Sequence, residues 1–296
     1  MPYLGETCAL LAALSWAFAL VLFKKSGESI PPLSLSLFKN VVGIVLLTAT
    51  LPFVGVDLVM LREMNPWDVA ILALSGVLGI AIADTLLFYS LNVVGVGLIT
   101  IVECSYTPSV VVFAWWFLAE QITLLDGIGG LLVLSAVFCI SGHHPPEGRT
   151  RRQLLVGLSL GALAIVMMAF GIVIVKPIIE EAPLVLVSLI RLIAGTAVLA
   201  LYMAASRKRT LWFRVFRPSA AWKTSVPASI FGTYVAMLLW VAGFKYTQAS
   251  VAAILNQTST IMALGFASLI LKEPFTRRKL IAAMLALGGI LVVTLG

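Results

Sequence analysis

Four charged side chains lie inside long apolar stretches of this sequence: Lys39, Asp84, Glu103 and Arg191. At a rise of about 1.5 Å per helical residue, each lies roughly 9–12 Å from the nearer end of its stretch. Charges at such a depth are expensive, and they usually face a water-filled cavity or an oppositely charged partner. Two cations and two carboxylates could therefore bind the anionic and cationic groups of a polar solute.

These four residues also have an interpretation that needs no ligand. Lys39 can form an ion pair with Asp84 or Glu103 that only holds neighbouring helices together, or it can extend its charge to the membrane interface. Both interpretations stay open for Lys39 and Asp84, whereas the greater depth of Glu103 and Arg191 favours a binding role. Glu103 and Asp84 are also candidates for proton coupling, because burial disfavours a carboxylate but not its protonated form.

A run of five polar residues, 256–260 (Asn-Gln-Thr-Ser-Thr), interrupts an apolar stretch near the C-terminus. Residues 103–107 (Glu-Cys-Ser-Tyr-Thr) form a similar run, which Pro108 follows. Such a run covers more than one face of a helix, so hydrogen bonds between helices cannot satisfy all of it and part should line a wet cavity. Pro108 removes one backbone hydrogen bond, which either exposes a carbonyl to a substrate or only bends the helix.

Aromatic residues near these polar runs, or deep in the apolar stretches, could form the walls of a substrate site. The alternative for each of them is ordinary packing in the core. The complete predicted substrate-binding set is Trp16, Lys39, Asp84, Tyr89, Glu103, Tyr106, Arg191, Tyr234, Trp240, Asn256 and Gln257.

Catalytic and metal-binding patterns are missing from the sequence. The two histidines, His143 and His144, are adjacent, and the three cysteines have no metal-ligand spacing. No glycine-rich phosphate loop is followed by lysine. We predict that the protein is not an enzyme and has no cofactor and no metal. Its expected partners are a small-molecule substrate and membrane lipids, and no nucleic acid.

The composition of the chain indicates which kind of secondary structure positions these residues. The chain has 296 residues, of which 61% are hydrophobic and 11% charged, with a mean hydropathy of +1.08. Soluble domains are nearer 45–50% apolar and about 25% charged, so soluble classes are excluded. A membrane core of about 30 Å needs roughly 20 apolar residues per helix. Ten candidate spans follow, at about 4–23, 33–53, 67–90, 96–118, 123–142, 154–175, 183–204, 224–244, 249–271 and 277–295.

Two copies of a five-span unit make up the chain. At shifts of 152 or 153 residues the matched pairs include Lys24/Lys176, Pro31/Pro183, Lys39/Arg191, Gly43/Gly195, Gly79/Gly232, Glu103/Asn256 and Glu120/Glu273. Because five is odd, the second copy should enter the membrane inverted, as in many secondary transporters, whose substrate site lies between the repeats. We predict an all-α polytopic membrane protein with ten transmembrane helices as two inverted five-helix repeats around a central cavity. The first repeat is 1–145, the linker 146–153 and the second repeat 154–296.

Lysine and arginine are distributed unevenly over the predicted loops. Three lie on one side, and fifteen lie on the other: Lys24, Lys25, Arg149, Arg151, Arg152, Arg207, Lys208, Arg209, Arg214, Arg217, Lys223, Lys272, Arg277, Arg278 and Lys279. Positive loops face the cytoplasm, so both termini are expected outside. The basic segment 207–223 is expected at anionic lipid.

Two further features concern the ends of the repeats. Glu120 and Glu273 each precede the last span of a repeat, and we expect them to cap helices or to pair with a neighbouring Lys or Arg. Spans 5 and 10 could pack within one chain or form a homodimer, so monomer and homodimer both stay open.

Several short motifs complete the pattern of a known family. They are Leu14-Ser15-Trp16-Ala17, Lys245-Tyr246-Thr247-Gln248-Ala249-Ser250-Val251-Ala252 and Leu271-Lys272-Glu273-Pro274. With the repeat, they resemble the drug/metabolite transporter superfamily, and in particular its EamA-type ten-span transporters. The resemblance implies a central cavity that opens alternately to either side, and substrates that range from amino acids and drugs to anions. Residues 92–97 depart from the family-like pattern of the second repeat, which makes spans 3 and 4 less similar.

The leading hypothesis is a secondary active transporter in the bacterial inner membrane. We expect it to export amino acids or similar zwitterionic or amphipathic metabolites by alternating access, with possible proton coupling. One alternative is an organic-anion or phosphate-ester exchanger that uses Lys39 and Arg191. Another is a lipid-handling protein or a non-transporting membrane scaffold.

Overall fold

A computed structural model describes residues 3–56, 60–118, 124–141, 150–246, 249–273 and 276–295, and these ranges contain helices and no strand. Glu120, His143, His144 and linker residues 146–149 lie outside them. We number ten long helices in chain order: α1 Leu4–Ser26, α2 Pro32–Thr50, α3 Pro66–Val94, α4 Val96–Glu103 continued by Tyr106–Leu118, α5 Leu124–Ser141, α6 Arg151–Val173, α7 Leu184–Ala205, α8 Trp222–Ser229 continued by Ile230–Val235 and Ala236–Tyr246, α9 Ala249–Ile270 and α10 Arg277–Leu295.

Local sequence explains where several helices begin. Helix α3 starts at Pro66, and the side chain of Asn65 caps it by accepting a hydrogen bond of 2.9 Å from the backbone N–H of Trp67. Helix α6 starts with a capping box in which Thr150 and Gln153 bond to each other's backbone N–H groups. Gly95 separates α3 from α4 with a φ of 85°, a left-handed conformation that glycine adopts readily.

A π-helical segment interrupts α3 and α8 at equivalent positions of the two repeats. The segments are Val77–Ala83 and Ile230–Val235, and each contains a glycine of the repeat-matched pair Gly79 and Gly232. A π turn contains more residues than an α turn and therefore changes which side chains face a given neighbour. The sequence does not predict these segments.

Helix α4 is interrupted, whereas its counterpart α9 is continuous. The interruption is at Cys104 and Ser105, between Val96–Glu103 and Tyr106–Leu118. Pro108 lies four residues after Cys104, so it removes the backbone N–H that would bond to the carbonyl of Cys104. The proline therefore accompanies a break in the helix beside Glu103.

The two repeats pack into each other. Helix α1 packs against α8 and α9 of the second repeat, and α6 packs in the same way against α3 and α4 of the first. Helices α2 and α7 contact each other, while α5 and α10 pack together within the chain. Glycines permit these approaches, since a Cβ on Gly195 would lie 2.5 Å from the backbone oxygen of Gly76. Each repeat therefore buries much of its apolar surface against the other.

Seven helical segments of the described residues are long and apolar enough to cross a membrane. They are Leu4–Ser26, Pro32–Val54, Pro66–Val94, Val96–Phe117, Arg151–Val173, Leu184–Ala205 and Trp222–Gly243. The other three predicted spans coincide with α5, α9 and α10, which are not among the seven. The all-helical, two-repeat membrane architecture is thus confirmed, and the count of ten spans stays a prediction.

Candidate functional site

A cavity of about 280 Å³ lies between the two repeats. Side chains or backbone of eight helices line it, α1 to α4 and α6 to α9, and none of the described lining residues belongs to α5 or α10. Nine residues of the predicted binding set are among those lining it: Trp16, Lys39, Asp84, Glu103, Tyr106, Arg191, Trp240, Asn256 and Gln257. Residues predicted from the sequence to bind substrate therefore share one cavity, and their contact with a substrate stays a prediction.

Tyr89 and Tyr234 do not line this cavity. Tyr89 is 47% exposed on the outer surface of α3, because the five residues from Asp84 to Tyr89 turn the helix by about 140° away from the cavity. The hydroxyl of Tyr234 lies 2.6 Å from the Thr50 hydroxyl, and its ring packs against the apolar cluster around Leu189. Tyr89 therefore lies on the outer surface, and Tyr234 lies in a packed position beside the cavity residues of α8.

Lys39 and Asp84 form a buried ion pair at the cavity wall. The Lys39 Nζ donates to Asp84 Oδ2 at 2.6 Å and to Asn40 Oδ1 at 3.0 Å. Lys39 is only 6% exposed, so its charge does not extend to the membrane interface. The nearby Phe88 ring adds a cation–π contact, with its centroid 5.8 Å from the ammonium nitrogen. The geometry therefore supports the interpretation in which Lys39 and Asp84 pair with each other and hold α2 against α3.

Glu103 has a different surrounding from Asp84. Its Oε1 accepts a hydrogen bond of 3.3 Å from the indole Nε1 of Trp16, which links α4 of the first repeat to α1. Among the described residues, no Lys or Arg forms an ion pair with Glu103. Its carboxyl group therefore lines the cavity without a compensating cation within bonding distance.

Arg191 lines the cavity from α7 without an ion pair to any described carboxylate. Asp84 and Tyr106 are near enough to interact with it electrostatically, but neither bonds to it. Its Nε is buried and has no hydrogen-bond partner. One terminal nitrogen lies 3.9 Å from where a Cβ on Gly79 would stand, so the guanidinium group extends toward α3. Arg191 is thus a cation with open donors.

Polar residues of α8 and α9 add to the cavity wall. Asn256 Nδ2 and Thr233 Oγ1 are buried and have no hydrogen-bond partner, whereas Gln257 donates a weak bond of 3.4 Å to Thr107 Oγ1. Thr233 is absent from the predicted set. The sequence marks this part of α8 only through the neighbouring residue Gly232, which the repeat matches to Gly79.

Four charged or polar lining residues lie at a similar depth from the two ends of the helix bundle. At the end where α2 and α4 begin, Lys39 and Glu103 are each seven residues inside their helices. At the end where α7 and α9 begin, Arg191 and Asn256 are also seven residues inside. About two helical turns, or roughly 10 Å, therefore separate each pair from its end of the bundle.

Side chains cap two helix ends where α3 and α4 meet. The Lys24 Nζ donates to the carbonyls of Leu91 and Asn92, at 2.9 and 3.0 Å, where α3 ends. The carboxylate of Glu273 accepts the backbone N–H groups of Val96 and Gly97, at 2.9 and 3.1 Å, where α4 begins.

Lys279 completes this cluster by forming an ion pair of 3.3 Å with Glu273. The capping and pairing predicted for Glu273 are therefore confirmed. Gly95 and Gly97 leave room for the carboxylate, since a Cβ on Gly95 would lie 2.8 Å from Glu273 Oε1.

The remaining wall of the cavity is largely apolar. Alanine, isoleucine, methionine and leucine side chains alternate with the charged groups: Ala12, Ala13, Ile80, Ile165, Met168, Ile172, Leu192, Ala236 and Met237. Concave, mostly apolar sites with a few placed polar groups are typical of small-molecule binding.

Comparison with known proteins agrees with this architecture. The family model described as "EamA-like transporter family" matches residues 3–142 and again 155–295. A solved structure described as "Crystal structure of protein" is 19% identical in sequence, with a TM-score of 0.71 over 98% of this chain and 96% of the other. This similarity shows a shared fold. No curated protein matches the chain.

The two family matches cover nearly the whole chain, one for each repeat. They agree with the multi-pass helical fold and with the cavity that eight helices share. The protein is therefore an integral multi-pass membrane protein, and it belongs to the EamA-like transporter family of the drug/metabolite transporter superfamily.

Proposed function

We propose that this membrane transporter is a secondary active transporter that exports a small zwitterionic or amphipathic metabolite, such as an amino acid. The observation that carries the proposal is the balance of charge in the cavity, which two cations and two carboxylates line. A formal charge of zero over these four groups suits a solute with one charge of each sign better than a solute with a net charge. The apolar wall suits the carbon skeleton of such a solute.

The size of the cavity supports a small substrate. Its volume of about 280 Å³ is near the lower end of the range of roughly 300–1,000 Å³ that is typical of ligand pockets. Amino acids and metabolites of similar size need no larger space, whereas a lipid needs a longer site.

The position of the cavity supports alternating access. Four charged or polar residues line it about two turns inside their helices, two from each end of the bundle: Lys39, Glu103, Arg191 and Asn256. Secondary transporters bind substrate near the midplane between inverted repeats. We propose a bacterial inner membrane with both termini outside, as the loop charges indicate. Lys24 and Glu273 then lie at the cytoplasmic end of the bundle, where the cavity would open in one of its two states.

Proton coupling is proposed for Glu103 in preference to Asp84. Asp84 is engaged by Lys39 at 2.6 Å, so protonating it would leave a buried lysine without a counter-ion. Glu103 contacts the neutral indole of Trp16 and can exchange a proton without that penalty.

Transport by purified protein in proteoliposomes tests the proposal. We expect uptake of radiolabelled amino acids, screened as a panel, to accelerate when a pH gradient is imposed across the membrane. Glu103→Gln should remove the acceleration, while Glu28→Gln, at an exposed loop position, should keep it. Transport that ignores both the gradient and Glu103→Gln would exclude proton coupling, and absence of transport for every solute would oppose the proposed function.

An organic-anion or phosphate-ester exchanger is the second candidate, because Arg191 has no ion pair among the described residues. It is less favoured, since Asp84 already neutralises Lys39, the other cation. Exchange of inorganic phosphate or a phosphate ester that survives both Lys39→Ala and Arg191→Ala would rule out this mechanism.

A further inference from the structure

Buried polar atoms without a hydrogen-bond partner occur at a few places among the described residues, and three of them belong to residues that line the cavity. They are Arg191 Nε, Thr233 Oγ1 and Asn256 Nδ2, all in the second repeat. A buried polar group without a partner costs about 1–3 kcal/mol, so these atoms call for a partner that the described residues do not supply.

The chemistry of these three groups points to one kind of partner. The Nε of arginine and the amide nitrogen of asparagine only donate hydrogen bonds, and a threonine hydroxyl can donate as well. A set of donors that includes a guanidinium group suits an anionic oxygen, and arginine binds carboxylates with two parallel bonds.

Lys39 is the other cation of the cavity, and its bonds are already used. Its ammonium group donates to Asp84 Oδ2 and Asn40 Oδ1. The repeat places Met237 where Asp84 would have its counterpart, so Arg191 lacks the neutralising carboxylate that Lys39 has. One of the two cations is therefore available to a ligand.

We infer that Arg191, with Thr233 and Asn256, forms the site for the carboxylate of the substrate, and that Lys39 is a positioning residue held by Asp84. The inference rests on the proposed function, because it takes the cavity as the substrate site. It names the ligand class as small monocarboxylates with an apolar body. Thr233 is thereby added to the binding residues, and Lys39 is removed from them.

Thermal unfolding of the full-length protein in detergent, with matched ligands, tests the inference. The probes are L-leucine and L-phenylalanine, their acids without the amine (4-methylpentanoate and 3-phenylpropanoate), and their amines without the carboxylate (3-methylbutylamine and 2-phenylethylamine). A ligand that binds the folded state raises the Tm. We expect carboxylate-bearing probes to raise the Tm of the wild type and the amines to raise it least.

Arg191→Gln should weaken carboxylate binding by about 10- to 150-fold, the range expected for a hydrogen bond to a charged group. Arg207→Gln removes one positive charge from an exposed position and should leave binding unchanged. Met237→Asp is a second variant that keeps the arginine: it supplies the missing equivalent of Asp84 and should weaken the same probes. The double variant Lys39→Met with Asp84→Leu removes the ion pair and should retain carboxylate binding.

Two results would overturn the inference while leaving the proposed function in place. One is carboxylate binding that survives Arg191→Gln and Met237→Asp but disappears in the double variant. The other is a wild type that binds the amines and none of the carboxylates. If no probe binds and no solute is transported in proteoliposomes, both the inference and the proposed function fail.

Discussion

Lys39 in α2 and Arg191 in α7 occupy equivalent positions of the two repeats, yet their surroundings differ. Lys39 has a carboxylate at 2.6 Å, whereas Arg191 forms no ion pair with a described residue. The cause is a single difference in sequence, since the position equivalent to Asp84 is Met237. Each repeat thus places one cation at the cavity. Among the described residues, only the cation of the first repeat, Lys39, forms an ion pair with a carboxylate.

The scaffold around these two cations is duplicated much more closely. Both repeats contain a π-helical segment at the same position, in α3 and in α8. Both also place a matched glycine, Gly43 or Gly195, where α2 or α7 meets the other repeat. Backbone geometry therefore follows the repeat, while binding chemistry depends on a few positions where the repeats diverge.

The largest effect should come from removing the carboxylate that only the first repeat has. Asp84→Leu leaves the ammonium of Lys39 buried without a counter-ion, and we expect a loss of about 3–5 kcal/mol in the free energy of unfolding. Met237→Leu, at the equivalent position, should cost less than about 1.5 kcal/mol. Chemical unfolding in detergent measures both.

Adding Lys39→Met to Asp84→Leu should restore most of that loss, because a buried pair replaced by apolar residues is often neutral. Equal costs for Asp84→Leu and Met237→Leu would show that the ion pair does not distinguish the repeats energetically.

A smaller difference is expected between the two matched glycines. A Cβ on Gly195 would lie 2.5 Å from a backbone oxygen, that of Gly76, which cannot move without shifting α3. On Gly43 it would lie 2.6 Å from Thr233 Cγ2 and 2.9 Å from Leu192 Cδ2, which are side chains that can rotate.

We therefore expect Gly195→Ala to cost about 2–3 kcal/mol and Gly43→Ala about 1 kcal/mol. Gly265→Ala is the control, because no described atom beyond the local backbone of its own helix lies within 4 Å of its Cβ position, and alanine favours a helix. The shifts in Tm of the three variants measure these costs. A larger decrease in Tm for Gly43→Ala than for Gly195→Ala would contradict the geometry.

The smallest effect concerns the cap that the second repeat provides to the first. Glu273→Gln weakens the bonds to the N–H groups of Val96 and Gly97 and removes the ion pair with Lys279, for a loss of about 1 kcal/mol. Hydrogen exchange at the start of α4 should rise in this variant and stay unchanged in Glu28→Gln. Protection that is the same in both variants would show that the cap does not hold this helix end.

Much of this architecture could be predicted from the sequence, because charge and proline at a constant spacing reveal a repeat even in an apolar chain. The matched pairs Lys39/Arg191 and Glu103/Asn256 placed four residues that line the cavity. The pairing of Lys39 with Asp84 was one of two open interpretations, since a sequence does not fix how one helix is rotated against the next.

Helix rotation explains why two residues of the predicted set do not line the cavity. Tyr89 is deep in its apolar stretch, but about 140° of helical rotation from Asp84 turns it away from the cavity. Tyr234 lies inside a π-helical segment, where side chains do not follow the α-helical period. The neighbouring Thr233 lines the cavity instead, and only the three-dimensional structure shows that its hydroxyl has no partner.

Water at the centre of the bundle can be measured directly by cysteine labelling. In a background without native cysteines, we expect Asn256→Cys to react in membranes with a charged, membrane-impermeant thiol reagent, and a bound substrate to protect it. Ile261→Cys is the control, because it lies on the same helix but is 57% exposed on the outer, lipid-facing surface. Rapid labelling at position 256 and none at position 261 is the predicted result. Equal or absent labelling at both positions would contradict a wet substrate cavity between the repeats.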